Sequence, residues 1–366
     1  MRIVVLTSEA PPNNCGIADH SALLADELSR SGHKASILAC NGYSAEGVEI
    51  IDNWWKVGSH IELMKRLEVL TPELLIVQFT PLMYKISNVV DLREMVATLK
   101  RLRRYFRIVL IVHESYFIKL QFPVSWIRGF WQKKILKEIS CNVDYIFSAS
   151  VHLLEFINTC KGCATARWLP ISSNFYVDNV QDRELLRREL GINSKDILVV
   201  LFGGGNSLRW YASYVQNTDI LLCKMGIPIK WLFLGGVSPK WFSLRAPVIS
   251  PGFLPSKKIS QWLTASDLFL MPHWSGVSAK RGTLFAALQH GLPVVGTQSK
   301  DTDNFLTKID GIRLINSGPK KFAQEVLNLS LDRQLMKDLG MSNKKHFQEN
   351  FTWPIVANSL ISMVSE

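Results

Sequence analysis

Residues 271–284 combine features that suit the binding of phosphate groups. An apolar run that we predict to be a strand ends in a loop of small and polar residues, and a helix is predicted to follow it. The start of this predicted helix carries Lys280, Arg281, Gly282 and Thr283. The first N–H groups of a helix attract anions, and cationic and hydroxyl side chains hydrogen-bond to phosphate oxygens. The sequence therefore predicts that these four residues bind a diphosphate.

Three other loops follow predicted strands and carry residues that suit ligand binding. Gly16 ends a turn-rich loop at the start of a helix, where its backbone can approach an anion closely. His113, at the tip of a strand and followed by Glu114, can hydrogen-bond to a sugar hydroxyl or a phosphate oxygen, with a structural histidine as the alternative. Gly204 lies among three consecutive glycines that resemble a phosphate-cradling loop, with Arg209 as the nearby cation, and we expect both to bind the diphosphate. Neither the dinucleotide-binding nor the ATPase glycine motif is matched, which disfavours those two kinds of site.

Short runs of apolar, mostly β-branched residues alternate with amphipathic helical stretches along the chain. This alternation predicts parallel sheets with helices on both faces, the doubly wound α/β arrangement. The pattern breaks at a polar, proline-containing stretch, residues 168–174, and then restarts. We therefore predict two Rossmann-like domains facing a cleft, 1–170 and 171–350, with residues 351–366 packing back on the first. The predicted strands are 3–6, 35–39, 74–78, 108–112 and 145–148 in the first domain, and 197–202, 231–234, 268–271, 294–296 and 312–315 in the second.

The composition is typical of a soluble globular protein, because 47% of the 366 residues are hydrophobic and 20% are charged. The apolar runs are shorter than the roughly 20 residues that span a bilayer, and the first strand is too short for a signal peptide, so we expect a cytoplasmic location. Six scattered cysteines are expected to be free thiols. Cys160 and Cys163 form a lone C-x-x-C pair, which lacks the four ligands of a zinc site.

The formal net charge of +11 is unevenly distributed, and two clusters mix cations with aromatic residues. Such surfaces attract anionic lipids or other polyanions, and a solvated helix face is the alternative. Because aromatic residues accompany the charges and no nucleic-acid-binding motif is found, we expect peripheral contact with the inner membrane surface and no nucleic-acid partner. The clusters are Lys100, Arg101, Arg103, Arg104, Tyr105, Phe106 and Arg107, and Trp126, Arg128, Phe130, Trp131, Lys133, Lys134 and Lys137.

Two segments, residues 14–33 and 251–297, carry a pattern of a known family. The first includes Gly16 and His20, and the second includes Met271-Pro272 and the His-Gly-Leu-Pro-Val-Val run at 290–295. Together they resemble the retaining GT-B glycosyltransferases of family 4, the group 1 glycosyltransferases of bacterial polysaccharide synthesis. The resemblance in architecture covers nearly the whole chain, and it implies a GT-B fold with an acceptor domain at 1–170 and a nucleotide-sugar donor domain at 171–350.

The resemblance implies retaining transfer of a hexose from a nucleoside diphosphate sugar, with UDP-glucose as the expected donor. The acceptor is expected to be a carbohydrate or lipid-linked molecule of envelope or exopolysaccharide synthesis, recognised by loops 78–84 and 114–122. No cofactor and no metal are expected, because cationic side chains neutralise the diphosphate. The residue roles that it implies are donor diphosphate binding by Gly16 and Arg209, contact with the transferred sugar by His113, base binding by Phe253 and Leu254, and weaker acceptor or sugar contacts by His20 and Glu114.

The sequence departs from the family at two acidic positions. The family has two glutamates separated by seven residues, one for the sugar and one for the ribose hydroxyls, where this chain has Ser278 and Ala286. Lys280 and Arg281 are therefore expected to carry more of the diphosphate charge. Two alternatives stay open: a degenerate GT-B nucleotide-binding scaffold without transferase activity, and a GT-B sugar-nucleotide epimerase. Residues 301–303 match the D-x-D pattern of metal-binding sites, but they follow a predicted strand of the second domain, and we do not expect them to bind a metal.

Overall fold

The structure, a computed structural model, describes the chain except for residues 12–14, 42–46, 57, 81–82, 87, 115–122, 176–181 and 205–210, and gives only the backbone of residues 123–128. Arg209 therefore lies outside the described residues, as do residues 115–122 of one predicted acceptor loop and residues 81–82 of the other. The chain divides into two compact units. Unit 1 comprises Met1–Pro170 and Trp353–Glu366, and unit 2 comprises Ile171–Thr352.

Strands and helices alternate through both units. The strands are β1 (Arg2–Glu9), β2 (Lys34–Asn41), β3 (Val48–Ile50), β4 (Leu74–Phe79), β5 (Arg107–Val112), β6 (Tyr145–Ser148), β7 (Ala166–Trp168), β8 (Ile197–Gly203), β9 (Ile229–Gly235), β10 (Val248–Gly252), β11 (Leu268–Met271), β12 (Val294–Thr297) and β13 (Ile312–Ile315). The helices are α1 (Gly16–Arg30), α2 (His60–Leu70), α3 (Val89–Leu102), α4 (Pro123–Ser140), α5 (Val151–Asn158), α6 (Arg183–Glu189), α7 (Ala212–Lys224), α8 (Ser256–Ala265), α9 (Gly282–Gln289), α10 (Gly318–Leu331), α11 (Arg333–Asn350) and α12 (Trp353–Ser365).

Unit 1 is a seven-stranded sheet in the order β3-β2-β1-β4-β5-β6-β7, and all of its paired strands run parallel. Its central strands are buried on both faces, which is why they are nearly continuous runs of valine, isoleucine and leucine. One face packs against α1 and α12, and the other contributes to a core that includes α2, α3, α4 and α5.

Helix α12 belongs to unit 1 although it follows unit 2 in the sequence. Its apolar stripe at Val356, Ala357, Leu360 and Val364 is buried against the same cluster as α1 and the central strands. These positions recur at the spacing of one helix face, so a single side of the helix supplies all four contacts.

Unit 2 is a six-stranded parallel sheet in the order β10-β9-β8-β11-β12-β13, covered by an apolar cluster on each face. In each unit the first strand, β1 or β8, lies inside the sheet. The next two strands extend the sheet to one side of it, and the strands from β4 or β11 onward extend the sheet to the other side. This is the doubly wound arrangement, in which ligands bind outside the carboxyl ends of the strands. No helix among the described residues is long and apolar enough to cross a membrane.

A buried carboxylate holds the chain segment that comes just before β10, the strand that ends next to Phe253. Asp219 of α7 is fully buried and accepts hydrogen bonds from the indole Nε1 of Trp231 at 2.9 Å and from the backbone N–H groups of Arg245 at 2.7 Å and Ala246 at 3.1 Å. The carboxylate and its three N–H donors are therefore all hydrogen-bonded. Polar groups that are buried without such partners destabilise a fold.

We expect Asp219→Asn to lower the free energy of unfolding by about 2 kcal/mol, because the amide nitrogen would meet the N–H of Arg245 or Trp231 as a second donor. Urea denaturation measures the change. Asp182→Asn is the matched control: Asp182 caps α6 through the N–H of Glu184, and asparagine caps helices equally well. Equal stabilities of the Asp219 variant and the wild type would contradict this role.

The expectation of six free cysteines is wrong for one pair. Cys141, just after α4, and Cys163, in the connection before β7, form a disulfide with Cα atoms 3.9 Å apart. The two residues are 22 positions apart in sequence, and the packing of α4 beside α5 brings them together, so spacing alone did not indicate the pair. Cys15, Cys40, Cys160 and Cys223 are free thiols, as expected.

Candidate functional site

The candidate donor residues of unit 2 lie at one edge of its sheet. The registers align Gly203 with Gly235 and Met271 with Gly296, so the loops after β8, β11 and β12 leave the sheet at nearly the same level. Gly252 pairs with Leu234, which brings Phe253 to this edge as well. The structure therefore brings together the loops that carry Gly204, Phe253 and residues 272–283.

The loop between β11 and α9 is fixed by hydrogen bonds from the neighbouring loop. The hydroxyl of Thr297 donates to the carbonyl of His273, the N–H of Val277 donates to the carbonyl of Thr297 at 2.9 Å, and the N–H of Ala279 donates to the carboxylate of Asp303 at 2.7 Å. Gly276 has φ +93° and no room for a side chain, because a Cβ there would overlap the hydroxyl of Thr302. The loop is therefore held in one conformation.

Asp303 has a structural role in this arrangement. It is buried, and its carboxylate accepts the N–H of Ala279. Among the described residues there is no group of three or more His, Cys, Asp or Glu side chains that could hold a metal ion.

The four residues predicted to bind a diphosphate are contiguous at the start of α9. Helix α9 has Gly282 as its first residue and Arg281 as its N-cap, and Lys280, Arg281, Gly282 and Thr283 are all half-buried. The first N–H groups of a helix have no partners within it, and they point in the direction from which an anion approaches. Two cations and a hydroxyl beside these groups form a suitable surface for a diphosphate.

His273 contacts Arg281 directly and was not among the predicted site residues. Its Nε2 is hydrogen-bonded to Nη2 of Arg281, and its Nδ1 lies 2.9 Å from the hydroxyl of Ser275. The imidazole is 8% exposed, with the ring of Tyr211 edge-on at 5.7 Å. Burial, followed by the charges of Arg281 and Lys280, lowers the pKa of His273 to about 3. The ring is therefore neutral near pH 7.

Ser278 and Ala286, where the family has glutamates, are both buried. Ser278 is 3% exposed, and among the described residues its hydroxyl has no hydrogen-bond partner. Ala286 is fully buried within an apolar cluster that includes Leu263 and Phe351. A carboxylate at position 286 would have to be buried among these apolar side chains, which is costly without a partner.

The remaining donor candidates differ in exposure. Phe253 is 71% exposed, whereas Leu254 is half-buried against the core of unit 2. Gly204 is exposed directly after β8. Arg209 lies outside the described residues, so its predicted role stays a prediction.

In unit 1, His113 follows β5 and is connected to the neighbouring strand β4. Its backbone N–H donates to the backbone carbonyl of Phe79 at 3.0 Å, and its ring Nε2 is hydrogen-bonded to Oε1 of Gln78. Burial lowers the pKa of His113 to about 4. The imidazole is therefore neutral near pH 7. Glu114, the next residue, is exposed.

His20 of α1 packs against His113, with ring centroids 4.8 Å apart and the rings edge to face. Trp353, the first residue of α12, also packs against His20, with ring centroids 5.1 Å apart. Burial and then the charge of His113 hold the pKa of His20 well below its ordinary value. Among the described residues, Nδ1 of His20 and Nε2 of Gln78 are buried without a hydrogen-bond partner.

Gly16 is exposed as the first residue of α1, so its position in the fold agrees with its predicted location at a helix start. The structure thus brings His20 and His113 together in unit 1, with Gly16 on the same helix as His20. The roles of Gly16, His20, His113 and Glu114 stay predictions.

Four buried or half-buried histidines have lowered pKa values, so we expect the protein to lose stability in mild acid. Burial is the main cause for each: His20, His113, His273 and His290. At pH values between the lowered pKa of the folded state and the ordinary pKa near 6.5, the unfolded chain binds more protons than the folded chain. The free energy of unfolding is therefore highest above this pH range and falls as the pH drops through it. When the pH drops from about 7 to about 5, each histidine with a strongly lowered pKa is expected to reduce the free energy of unfolding by an amount on the order of 2 kcal/mol.

Urea denaturation at a series of pH values measures this loss. His290→Gln, which removes one of the four imidazoles, is expected to make the pH dependence less steep. A free energy of unfolding that is constant from about pH 7 to pH 5 would contradict buried neutral imidazoles.

Solved structures with the same two-unit architecture match this chain over its full length. Sucrose-phosphate synthase from Thermosynechococcus elongatus has a TM-score of 0.72 at 13% identity, covering 99% of this chain and 98% of that chain. HepE from Anabaena, in complex with UDP and glucose, has a TM-score of 0.70 at 14% identity, covering 100% of both chains. WaaG, a glycosyltransferase involved in lipopolysaccharide biosynthesis, has a TM-score of 0.70 at 12% identity, covering 99% of both chains.

No model of a known protein family matches the sequence, and no curated protein sequence matches it. The structural matches are GT-B glycosyltransferases, so the chain has the GT-B fold with two Rossmann-like domains, and the fold predicted from the sequence is confirmed. At identities of 12–14%, this similarity establishes the fold, and the reaction is argued from the site.

Proposed function

We propose that this protein is a glycosyltransferase that transfers a hexose from a nucleoside diphosphate sugar to a carbohydrate or lipid-linked acceptor, with retention of configuration. The observation that carries the proposal is the group formed by Lys280, Arg281, Gly282 and Thr283 at the start of α9. Its chemistry suits a diphosphate, and its place beyond the carboxyl end of β11 is where doubly wound sheets bind nucleotides.

UDP-glucose is the donor that we propose first. HepE from Anabaena, which has the same fold, has been solved with UDP-glucose and with UDP and glucose. In this chain, the exposed Phe253 and the half-buried Leu254 follow β10 at the edge that carries the proposed diphosphate site. They are the residues that we propose for contact with the uracil base.

In the proposed reaction, the bond between the anomeric carbon and the β-phosphate oxygen breaks, and a bond from the acceptor hydroxyl oxygen forms on the same face. The proton of that hydroxyl passes to an oxygen of the departing diphosphate. The cations Lys280 and Arg281 stabilise the negative charge on the leaving group, which is the main contribution of the protein. Because these side chains supply positive charge at the site, we propose a reaction without a metal or another cofactor.

A thermal-shift panel of nucleotides and nucleotide sugars tests the proposal, since a ligand that binds only the folded state raises the melting temperature. We expect UDP and UDP-glucose to raise it, and uridine to have little effect. Release of UDP from UDP-glucose, slowly to water and faster with a suitable acceptor, then establishes transfer. If calorimetry finds no binding of UDP at millimolar concentration, the enzyme proposal fails.

The buried Ser278 and Ala286 favour one alternative, a GT-B scaffold that binds nucleotide without turnover. Binding of UDP-glucose without any release of UDP would support the scaffold. An epimerase is distinguished by incubating the UDP-sugar alone, because epimerisation yields a different UDP-sugar and no free UDP.

His113→Ala is expected to lower kcat by about 10- to 100-fold with little change in UDP affinity, because the side chain is proposed to orient the sugar and not the diphosphate. The comparison uses kcat for UDP release and the Kd of UDP from calorimetry. His152→Ala, at an exposed position of α5, is the control. A parallel loss of UDP affinity would assign His113 to the nucleotide instead.

We further propose that the C-terminal end of α3, with residues 103–107 after it, and residues 130–137 of α4 contact an anionic membrane surface. Tyr105 is 69% exposed and Phe130 is 73% exposed, and exposed cations lie within a few residues of each in the sequence. Part of the charge is compensated within the protein, since Arg103 pairs with Asp144 at 2.7 Å. The other exposed cations of this basic aromatic surface are Lys100, Arg101, Arg104, Arg107, Lys133, Lys134 and Lys137. Exposed aromatic rings beside lysine and arginine match the headgroup region of a bilayer.

Sedimentation with vesicles tests this contact. We expect binding to vesicles rich in phosphatidylglycerol and not to phosphatidylcholine vesicles, with a loss in Phe130→Ala and in Lys133→Ala/Lys137→Ala. Leu331→Ala, at an exposed leucine of unit 2, is the control. Equal binding to both kinds of vesicle, or no binding to either, would reject the contact.

A further inference from the structure

The hydrogen bond between His273 and Arg281 fixes which ring nitrogen carries the proton. A guanidinium group has only donors, so Nε2 of His273 must accept from Arg281. In a neutral imidazole the proton then lies on Nδ1, which donates to the hydroxyl of Ser275 at 2.9 Å. The backbone N–H of Ser275 also points at Nδ1, at the longer distance of 3.3 Å, a contact that would suit the other tautomer. That tautomer would place an N–H on Nε2 against the N–H donors of Arg281, so the closer contact with the guanidinium favours the proton on Nδ1.

The backbone of His273 is held as firmly as its ring. The hydroxyl of Thr297 and the N–H of Gly276 both donate to its carbonyl, and its own N–H donates to the carbonyl of Met271 at 2.9 Å. The ring is packed between Tyr211 and Trp274, with centroid distances of 5.7 and 6.0 Å. The acceptor nitrogen therefore has a fixed place at the end of β11.

From this geometry we infer that His273 is a positioning residue: its neutral imidazole accepts a hydrogen bond from Arg281 and sets the direction of that guanidinium toward the donor diphosphate. The inference rests on the proposed function. The five N–H donors of a guanidinium lie in one plane, so fixing one nitrogen orients the others. A flexible arginine would have to be ordered when the ligand binds, and pre-orientation removes this cost.

A neutral acceptor is required at this position. In a protonated imidazole, Nε2 of His273 would carry a hydrogen that points at an N–H group of Arg281, so no hydrogen bond could form. The imidazolium would also add a third positive charge beside Lys280 and Arg281. The surroundings oppose that state, because burial and these two cations hold the pKa of His273 far below its ordinary value. The imidazole is therefore neutral near pH 7 and keeps its acceptor there.

Four variants test the inference by calorimetry with UDP and with uridine. His273→Phe removes the acceptor and keeps an aromatic ring, and His273→Gln places a neutral amide oxygen near the position of Nε2. Arg281→Ala serves as the background, because it has no guanidinium group for His273 to orient. His290→Gln is the matched control, because His290 is also a neutral histidine of unit 2 and its partners are Ser260 and Ala286.

We expect His273→Phe to weaken UDP binding about tenfold, the loss of roughly one hydrogen bond to a charged group, and to leave uridine binding unchanged. His273→Gln should bind UDP within about threefold of the wild type. In the Arg281→Ala background, His273→Phe should cause no further loss, because coupled residues are not additive. His290→Gln should bind UDP like the wild type.

Three results would overturn the inference while leaving the proposed function intact. These are wild-type UDP affinity in His273→Phe, an equal loss in His273→Gln and His273→Phe, and a full further loss in the Arg281→Ala background. If His273→Phe does not fold, as judged by its melting temperature, His273→Leu in both backgrounds replaces it. Failure of the wild-type protein itself to bind UDP would instead reject the proposed function.

Discussion

Replacing both Lys280 and Arg281 by alanine is expected to weaken UDP binding by at least about 100-fold and to leave uridine binding within about twofold of the wild type. Each hydrogen bond between a charged side chain and a phosphate contributes about 1.5 to 3 kcal/mol, and every 1.4 kcal/mol changes the affinity about tenfold. Uridine lacks phosphates, so it loses none of these bonds. Isothermal titration calorimetry with both ligands measures the two changes on the same protein.

The matched control for this pair is Lys320→Ala/Lys321→Ala. These two exposed lysines also lie at the start of a helix that follows a strand, α10, and their removal changes the net charge equally. Their loss should leave UDP affinity within about twofold, apart from weak long-range electrostatics. Equal losses of UDP and uridine affinity in Lys280→Ala/Arg281→Ala would indicate damage to the fold. Unchanged UDP affinity would place the diphosphate elsewhere.

Deletion of residues 353–366 is expected to unfold unit 1 and to leave unit 2 folded. The deletion removes the buried side chains Val356, Leu360 and Val364 and uncovers the apolar face of α1 and the sheet. Burial of each such side chain contributes about 1.5 to 3 kcal/mol, so the loss approaches the whole stability of a typical domain, about 5 to 15 kcal/mol. Hydrogen exchange with mass spectrometry reports both units in one experiment.

Single substitutions provide a stricter form of this test. Leu360→Asp places a charge on the buried face of α12, whereas Asn358→Asp places the same charge on its exposed face. We expect faster exchange throughout β1, β4 and β5 in the first variant and exchange like that of the wild type in the second. Similar exchange in the two variants, or equal exposure of unit 2 in the deletion, would contradict the assignment of α12 to unit 1.

The sequence predicted the central strands better than the edges. Strands such as β4 and β8 are buried on both faces, so they read as continuous apolar runs and were found. The three strands that were missed, β3, β7 and β10, lie at sheet edges, where one side is unpaired and side chains are partly exposed. Such short strands have no distinct pattern, because pairing with a neighbour defines them.

The candidate site was predictable where its residues are consecutive. Lys280 to Thr283 stand together because a helix begins there, and a helix start has a local signal in the sequence. The contacts of His273 with Arg281 and of Gln78 with His113 join residues whose side-chain directions only the packed structure sets. A histidine close behind a predicted strand was the available signal for His273, which follows its strand after Pro272, and a similar signal selected His113, which follows its strand directly.

The discontinuous course of unit 1 has a consequence for synthesis of the chain. At roughly 5 to 20 residues per second, a ribosome needs about 10 to 40 s to make the segment between Pro170 and Trp353. Throughout that interval the nascent first domain lacks α12 and leaves the apolar groove beside α1 uncovered. Unit 2 can complete its fold first, although it is translated second. The period of exposed surface makes unit 1 the expected client of chaperones during translation.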